Sequence, residues 1–118
     1  MTEIITRFPI IWDAILVRGG DWGQTILLRA DDGVTPKDTT GYSMTMTIRK
    51  SHPNGEVYDT LSTANGRIVH TPSNGQFNPK LTAAEIDAYD FTSAVRRIVY
   101  DDGAGNTTPF AIGDVRVV

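Results

Sequence analysis

The sequence predicts an all-β domain: an antiparallel β-sandwich, immunoglobulin-like or jelly-roll-like, of about seven to nine short strands. Three observations carry this. Turn signals punctuate the chain at Arg18-Gly19-Gly20-Asp21, Asp31-Asp32-Gly33, Pro53-Asn54-Gly55, Asn65-Gly66, Ser73-Asn74-Gly75 and Asp101-Asp102-Gly103. Glycine supplies the positive φ that such turns need, and Asn or Asp tolerates the left-handed region beside it. Between the turns, Tyr42 to Arg49 alternates strictly, with Tyr42, Met44, Met46 and Ile48 on one face and Ser43, Thr45, Thr47 and Arg49 on the other. A period of two over that length sorts a strand into a core face and a water face, which no helix can do. Finally, Gly, Asn, Asp, Thr and Pro stand where a helical protein would carry helix formers.

The remaining elements follow in order. Gln24 to Ala30 reads as a strand with Ile26, Leu28 and Ala30 inward and Leu27 outward. Val57 to Leu61, Arg67 to Thr71 and the brief Gln76 to Asn78 are further strands. Val95 to Tyr100 carries apolar groups on both parities, so its inward face cannot be read. In Pro109 to Val118, Phe110 and Ile112 share one parity and Val115 and Val117 the other; a bulge at Gly113 would restore a single inward face. One segment, residues 82–88, is helical: Thr82 as N-cap and Glu85 three positions later form a capping-box pattern, with room for one or two turns.

With 118 residues the chain fits one domain, spanning residues 1–118, with residues 1–11 as a partner-binding N-terminal arm. A net charge of −3 without a basic stripe (Arg96-Arg97 is the nearest thing) argues against nucleic acid, which needs clustered cations. Cysteine is absent, which excludes disulfides and thiolate chemistry. No apolar run reaches membrane-spanning length, and the stretch Phe8 to Val17 is interrupted by Pro9 and Asp13, so neither a membrane span nor a signal peptide is expected.

Catalytic and cofactor-binding residues are not evident. His52 and His70 lie on different elements and read as solvent-exposed residues; the serines have no nucleophile-elbow context. The loop Asp101 to Asn106 has a glancing likeness to a calcium loop but lacks the terminal Glu and the charge count, so it reads as a hairpin loop and no metal is expected. Trp12, Trp22, Tyr42, Tyr58, Tyr89 and Tyr100 could line a sugar platform, although core positions are the commoner use of aromatics. The segment Ile4 to Trp12 is the densest apolar feature, with seven of nine residues apolar or proline. Either it covers the domain's own core, or Ile4, Phe8, Ile10 and Trp12 are contacts to a partner.

Several motifs in sequence order resemble a family of small phage virion domains, similar to the N-terminal domain of the baseplate upper protein and to short tail-module proteins. They are Arg18-Gly19-Gly20-Asp21, Asp31-Asp32-Gly33, Asp38-Thr39-Thr40-Gly41-Tyr42, Ile48-Arg49-Lys50, Leu61 to Ile68, Gly75 with Leu81-Thr82-Ala83-Ala84-Glu85, and Gly113 to Val117. The chain departs from the family where Thr39 replaces an expected Leu, and where Thr92 to Arg97 replaces a Gly-aromatic strand. The resemblance implies a non-enzymatic β-sandwich of the virion, a tail, baseplate or neck adaptor docking onto other virion proteins in a ring of identical copies. A capsid decoration protein is the nearest alternative, and a carbohydrate-binding module for host recognition the rival from another class. No cofactor, nucleic acid or membrane partner is implied.

Overall fold

The alternating segment forms an inner strand of the larger of two sheets, next to one edge. In the computed structural model, which describes residues 10–30 and 32–118, the strands are β1 (Ile10–Ile11), β2 (Ala14–Leu16), β3 (Trp22–Gly23), β4 (Ile26–Leu27), β5 (Ser43–Arg49), β6 (Val57–Ser62), β7 (Ile68–Thr71), β8 (Gln76–Leu81), β9 (Ser93–Asp101) and β10 (Thr107–Val117). A one-turn helix α1 (Ala83–Asp87) follows β8, and a 3-10 turn (Pro72–Asn74) joins β7 to β8. The first sheet runs β1-β10-β9-β5-β6, with β2 also beside β10; in the second, β8 pairs with β7, β4 and β3. The all-β sandwich is therefore as expected, and its strand order selects the immunoglobulin-like alternative. β5, β9 and β10 stand as the C, F and G strands and β6 adds a C′ strand beside β5, as in variable-type domains.

Met44, Met46 and Ile48 of β5 are buried on the expected face. They meet Ile98 and Ala94 of β9, Leu61 of β6 and Val115 and Val117 of β10 in one cluster with Ile26, Leu28, Ile68, Phe77 and Leu81 from the second sheet. The parity that could not be read in β9 resolves to Ala94, Arg96 and Ile98 inward, which puts an arginine in the core. Thr82 and Glu85 form the expected capping box, each accepting the other's backbone N–H (3.2 and 2.8 Å), and α1 buries Ile86.

Four expectations need correction. The sandwich is not wholly antiparallel, because β1 and β2 run parallel to β10. The strand expected over Gln24 to Ala30 is reduced to β4, with β3 before it, although Ile26 and Leu28 do face inward. The bulge in β10 lies at Phe110, between the pairs made by Pro109 and Ala111, and not at Gly113. From Ala111 onward the odd positions 111, 113, 115 and 117 then face the core. His70 is half-buried rather than exposed: it stacks on Phe77 at 4.2 Å between centroids, and its Nε2 lies 2.8 Å from the Thr39 hydroxyl. Burial lowers its pKa. Thr39 is fully buried, and its hydroxyl finds its partner in His70.

A polar clasp ties β6 to the strands and helix below it. Arg67 donates from both terminal nitrogens to Asp59, each at 2.8 Å, and pairs with Glu85 of α1 at 2.8 Å. Tyr89 donates its hydroxyl to the same Asp59 carboxylate.

Candidate protein–protein interface

The described part of the N-terminal segment is a strand of the sheet as far as its register shows. Ile11 pairs with Ile112 and Ala14 with Val115, a constant offset, so β1 and β2 are one strand interrupted at Trp12-Asp13. Even positions 10, 12, 14 and 16 face inward; Ala14 and Leu16 are buried. Odd positions 11, 13, 15 and 17 face outward.

Three contacts hold the interruption in place. Trp12 N–H donates to the Ile112 carbonyl at 2.8 Å, and Asp13 accepts the Asp114 N–H at 2.8 Å. Gly113 lies under them: a Cβ there would stand 2.2 Å from the Trp12 carbonyl oxygen and 2.8 Å from the Asp13 carboxylate. Glycine is needed at this point for close approach of two backbones.

The third contact is Arg96. Its side chain is fully buried, and Nε and one terminal nitrogen donate to the Trp12 carbonyl at 3.1 and 2.9 Å. The other terminal nitrogen donates to the Gln24 side-chain oxygen at 2.8 Å and touches the Met46 sulfur. The guanidinium sits 5.5 Å from the Trp12 ring centroid and 5.9 Å from that of Trp22, within cation–π range. Burial presses its pKa down to about 10, against the pull of the Asp13 charge, so it remains a cation at neutral pH. Neutral acceptors and two aromatic faces thus stabilise a buried charge that would otherwise be very unfavourable.

Of the four residues expected as partner contacts, Trp12 packs on the domain's own core, edge-to-face with Phe110 at 6.4 Å. Ile10 is 38% exposed at the end of β1. Ile4 and Phe8 lie outside the described residues. What the segment does present outward is a different set: Ile11 (74% exposed), Ile15 (61%) and Val17 (56%), joined by Val118 (59%) at the end of β10. The alternation Ala14-Ile15-Leu16-Val17 hides this row in sequence, since both parities are apolar.

Elsewhere the surface carries less. The six aromatics that could have made a sugar platform are all packed against the core, as in the Tyr42–Tyr100 and Tyr58–Phe91 stacks at 5.9 and 4.5 Å. The loop after β9 is a hairpin loop in which Asp102 accepts the N–H groups of Ala104 and Asn106. Among the described residues no group of three His, Asp or Glu converges as a metal site would require. A depression between the β5–β6 hairpin and β9, lined by Thr47, Arg49, His52, Pro53 and Val95, has room for about one water.

No protein-family model and no curated protein matches this chain. Among solved structures it is similar to the N-terminal domain of phage TP901-1 ORF48, with a TM-score of 0.50 and 15% identity over 95% of this chain and 91% of that one. It is also similar to a strand-swapped dimer of the extracellular domain of mouse leukocyte-associated immunoglobulin-like receptor 1, with a TM-score of 0.47 and 8% identity over 100% and 90% of the two chains. At these identities the likeness is one of fold.

Proposed function

We propose that the chain is a non-enzymatic structural protein of a bacteriophage virion, a tail, baseplate or neck adaptor that assembles in multiple copies through protein–protein contacts. The observation that carries this reading is the fold likeness to a phage domain over nearly the full length of both chains. The surface agrees in kind: it carries a row of exposed apolar residues on an edge strand, which suits docking.

The test is mass spectrometry of purified virions from a lysate in which this chain is expressed, together with electron microscopy of purified chain mixed with tail and baseplate proteins. Incorporation at a fixed ratio to a known tail protein is the expected result. Absence from virions, or retention on a glycan array by a chain that does not enter particles, would overturn it.

A further inference from the structure

The two edges of the larger sheet are treated differently. On β6 outward backbone groups of Thr60 and Ser62 are already used: the Thr60 carbonyl accepts from Asn65 and Arg67, each at 3.0 Å, and the Ser62 N–H donates to Asn65 at 3.0 Å. Side chains of the same molecule thus close that edge against any further strand. On β2 the even positions spend their backbone groups on β10, as in Val118 N–H to the Leu16 carbonyl and Arg18 N–H to the Val118 carbonyl, both 2.9 Å. In a parallel ladder the odd positions then point away. Among the described residues no strand pairs with β2 on its far side. Apart from its short length, β2 lacks the usual guards. From Ala14 to Val17 there is no Lys and no Pro, and the one nearby acid, Asp13, turns its carboxylate back onto the Asp114 N–H.

We infer that two copies of this chain pair β2 to β2 across a two-fold axis at Ile15, joining their larger sheets into one. The edge suits its own copy. With the axis at Ile15, the two Ile15 residues exchange N–H and carbonyl bonds, and Asp13 of one copy lies opposite Val17 of the other. No like charges then face each other across the axis. The area is modest: Ile11, Ile15, Val17 and Val118 together expose on the order of 400 Å², about half of one partner's share of a standard interface, so the dimer is a weak one held chiefly by the strand bonds. Dimerisation does not depend on the virion reading, and the two fail separately: one is read from oligomeric state in solution, the other from incorporation into particles.

The test is sedimentation velocity of the full chain and of two variants over a range of concentration. Ile15→Lys places a charge on the axis, and Ile15→Pro removes the outward N–H while sparing the ladder to β10. Dimer is expected for the wild type, with association weakened roughly tenfold or more in both variants and, at a concentration low enough for all three to be monomeric, the thermal melt unchanged because Ile15 is exposed. Thr60→Lys, on the closed β6 edge, is expected to leave the dimer intact. A monomeric wild type would overturn the inference. So would a dimer that survives Ile15→Lys and Ile15→Pro, or one that is lost only on deleting residues 1–9, which would assign the contact to the N-terminal segment. Should either proline or lysine lower the melt, Val17→Lys, on the same outward row, gives the same reading.

Discussion

Arg67 grips Asp59 with two parallel hydrogen bonds of 2.8 Å, and through that pair joins the C′ strand to the helix that carries Glu85. Burial alone would raise the Asp59 pKa, but the bonds from Arg67, Tyr89 and the Thr60 N–H outweigh it and hold the carboxyl below its ordinary value. A carboxylate depressed in this way stabilises the fold fully above its unfolded pKa, about 4, and the contribution is lost as pH falls through the lower folded value. Asp59→Asn is expected to cost about 1–2 kcal/mol at neutral pH, since the groups keep some contact with water. Its melt should also fall less steeply than the wild type's on acidification below about pH 4. Acid titrations of the two proteins check this, and equal slopes below about pH 4 would show that Asp59 contributes nothing.

Met46 stands in the middle of β5 and is 1% exposed, while Thr45 faces outward. Met46→Asp is expected to unfold the domain, because an unpaired buried charge costs several kcal/mol out of a total of about 5–15 kcal/mol. Thr45→Asp should melt within a few degrees of the wild type. Equal melts for the two variants would reverse the faces of β5.

Arg96→Ala is expected to cost about 3–5 kcal/mol, through a cavity in the core and the loss of donors to the Trp12 carbonyl and Gln24. Arg96→Lys should recover little of it, since an ammonium on a linear stem cannot serve both acceptors and both indole faces at once. Urea unfolding of the two variants checks this; a full rescue by lysine would show that charge alone matters there.

Gly113→Ala is expected to push the Trp12-Asp13 junction off β10, because the added methyl would stand 2.2 Å from a carbonyl oxygen. The cost should be about 2–3 kcal/mol, as for overpacking elsewhere. Gly20→Ala, whose Cβ would meet nothing nearer than 3.8 Å, is the control. Hydrogen exchange at the Trp12 and Asp114 amides should quicken in the first variant and stay unchanged in the second.

The sequence exposes some of this architecture and conceals the rest for definite reasons. Where one face is wet and the other dry, as from Ser43 to Arg49, alternation shows the strand and its orientation. The Thr82–Glu85 capping box is legible because both partners are local. Arg96 is not legible: its acceptors, Gln24 and the Trp12 carbonyl, lie 72 and 84 residues away, and nothing in Ala94 to Val99 distinguishes the buried arginine from its exposed neighbour Arg97. Gly113 reads as a bulge signal because glycine in a strand serves either a bulge or a close approach, and only the position of Trp12 decides between them. Ile15 and Val17 are concealed because Ala14 and Leu16 give the opposite parity an equal claim to the core.

The pairing of the first strand with the last has a consequence for the order in which the domain is completed. Asp13 and Asp114 are separated by 101 residues, and β1, β2 and β9 all take β10 as a partner. During synthesis the opening strand has no place in the sheet until the closing one has left the ribosome. Its inward residues Ala14 and Leu16 therefore stay uncovered until β10 has been made. Contacts of such long sequence separation also place the domain among slow folders, for which loop closure precedes its reward. A nascent chain of this kind offers Ala14 and Leu16 to chaperones, or to other copies made nearby, before its own β10 exists to pair with β2.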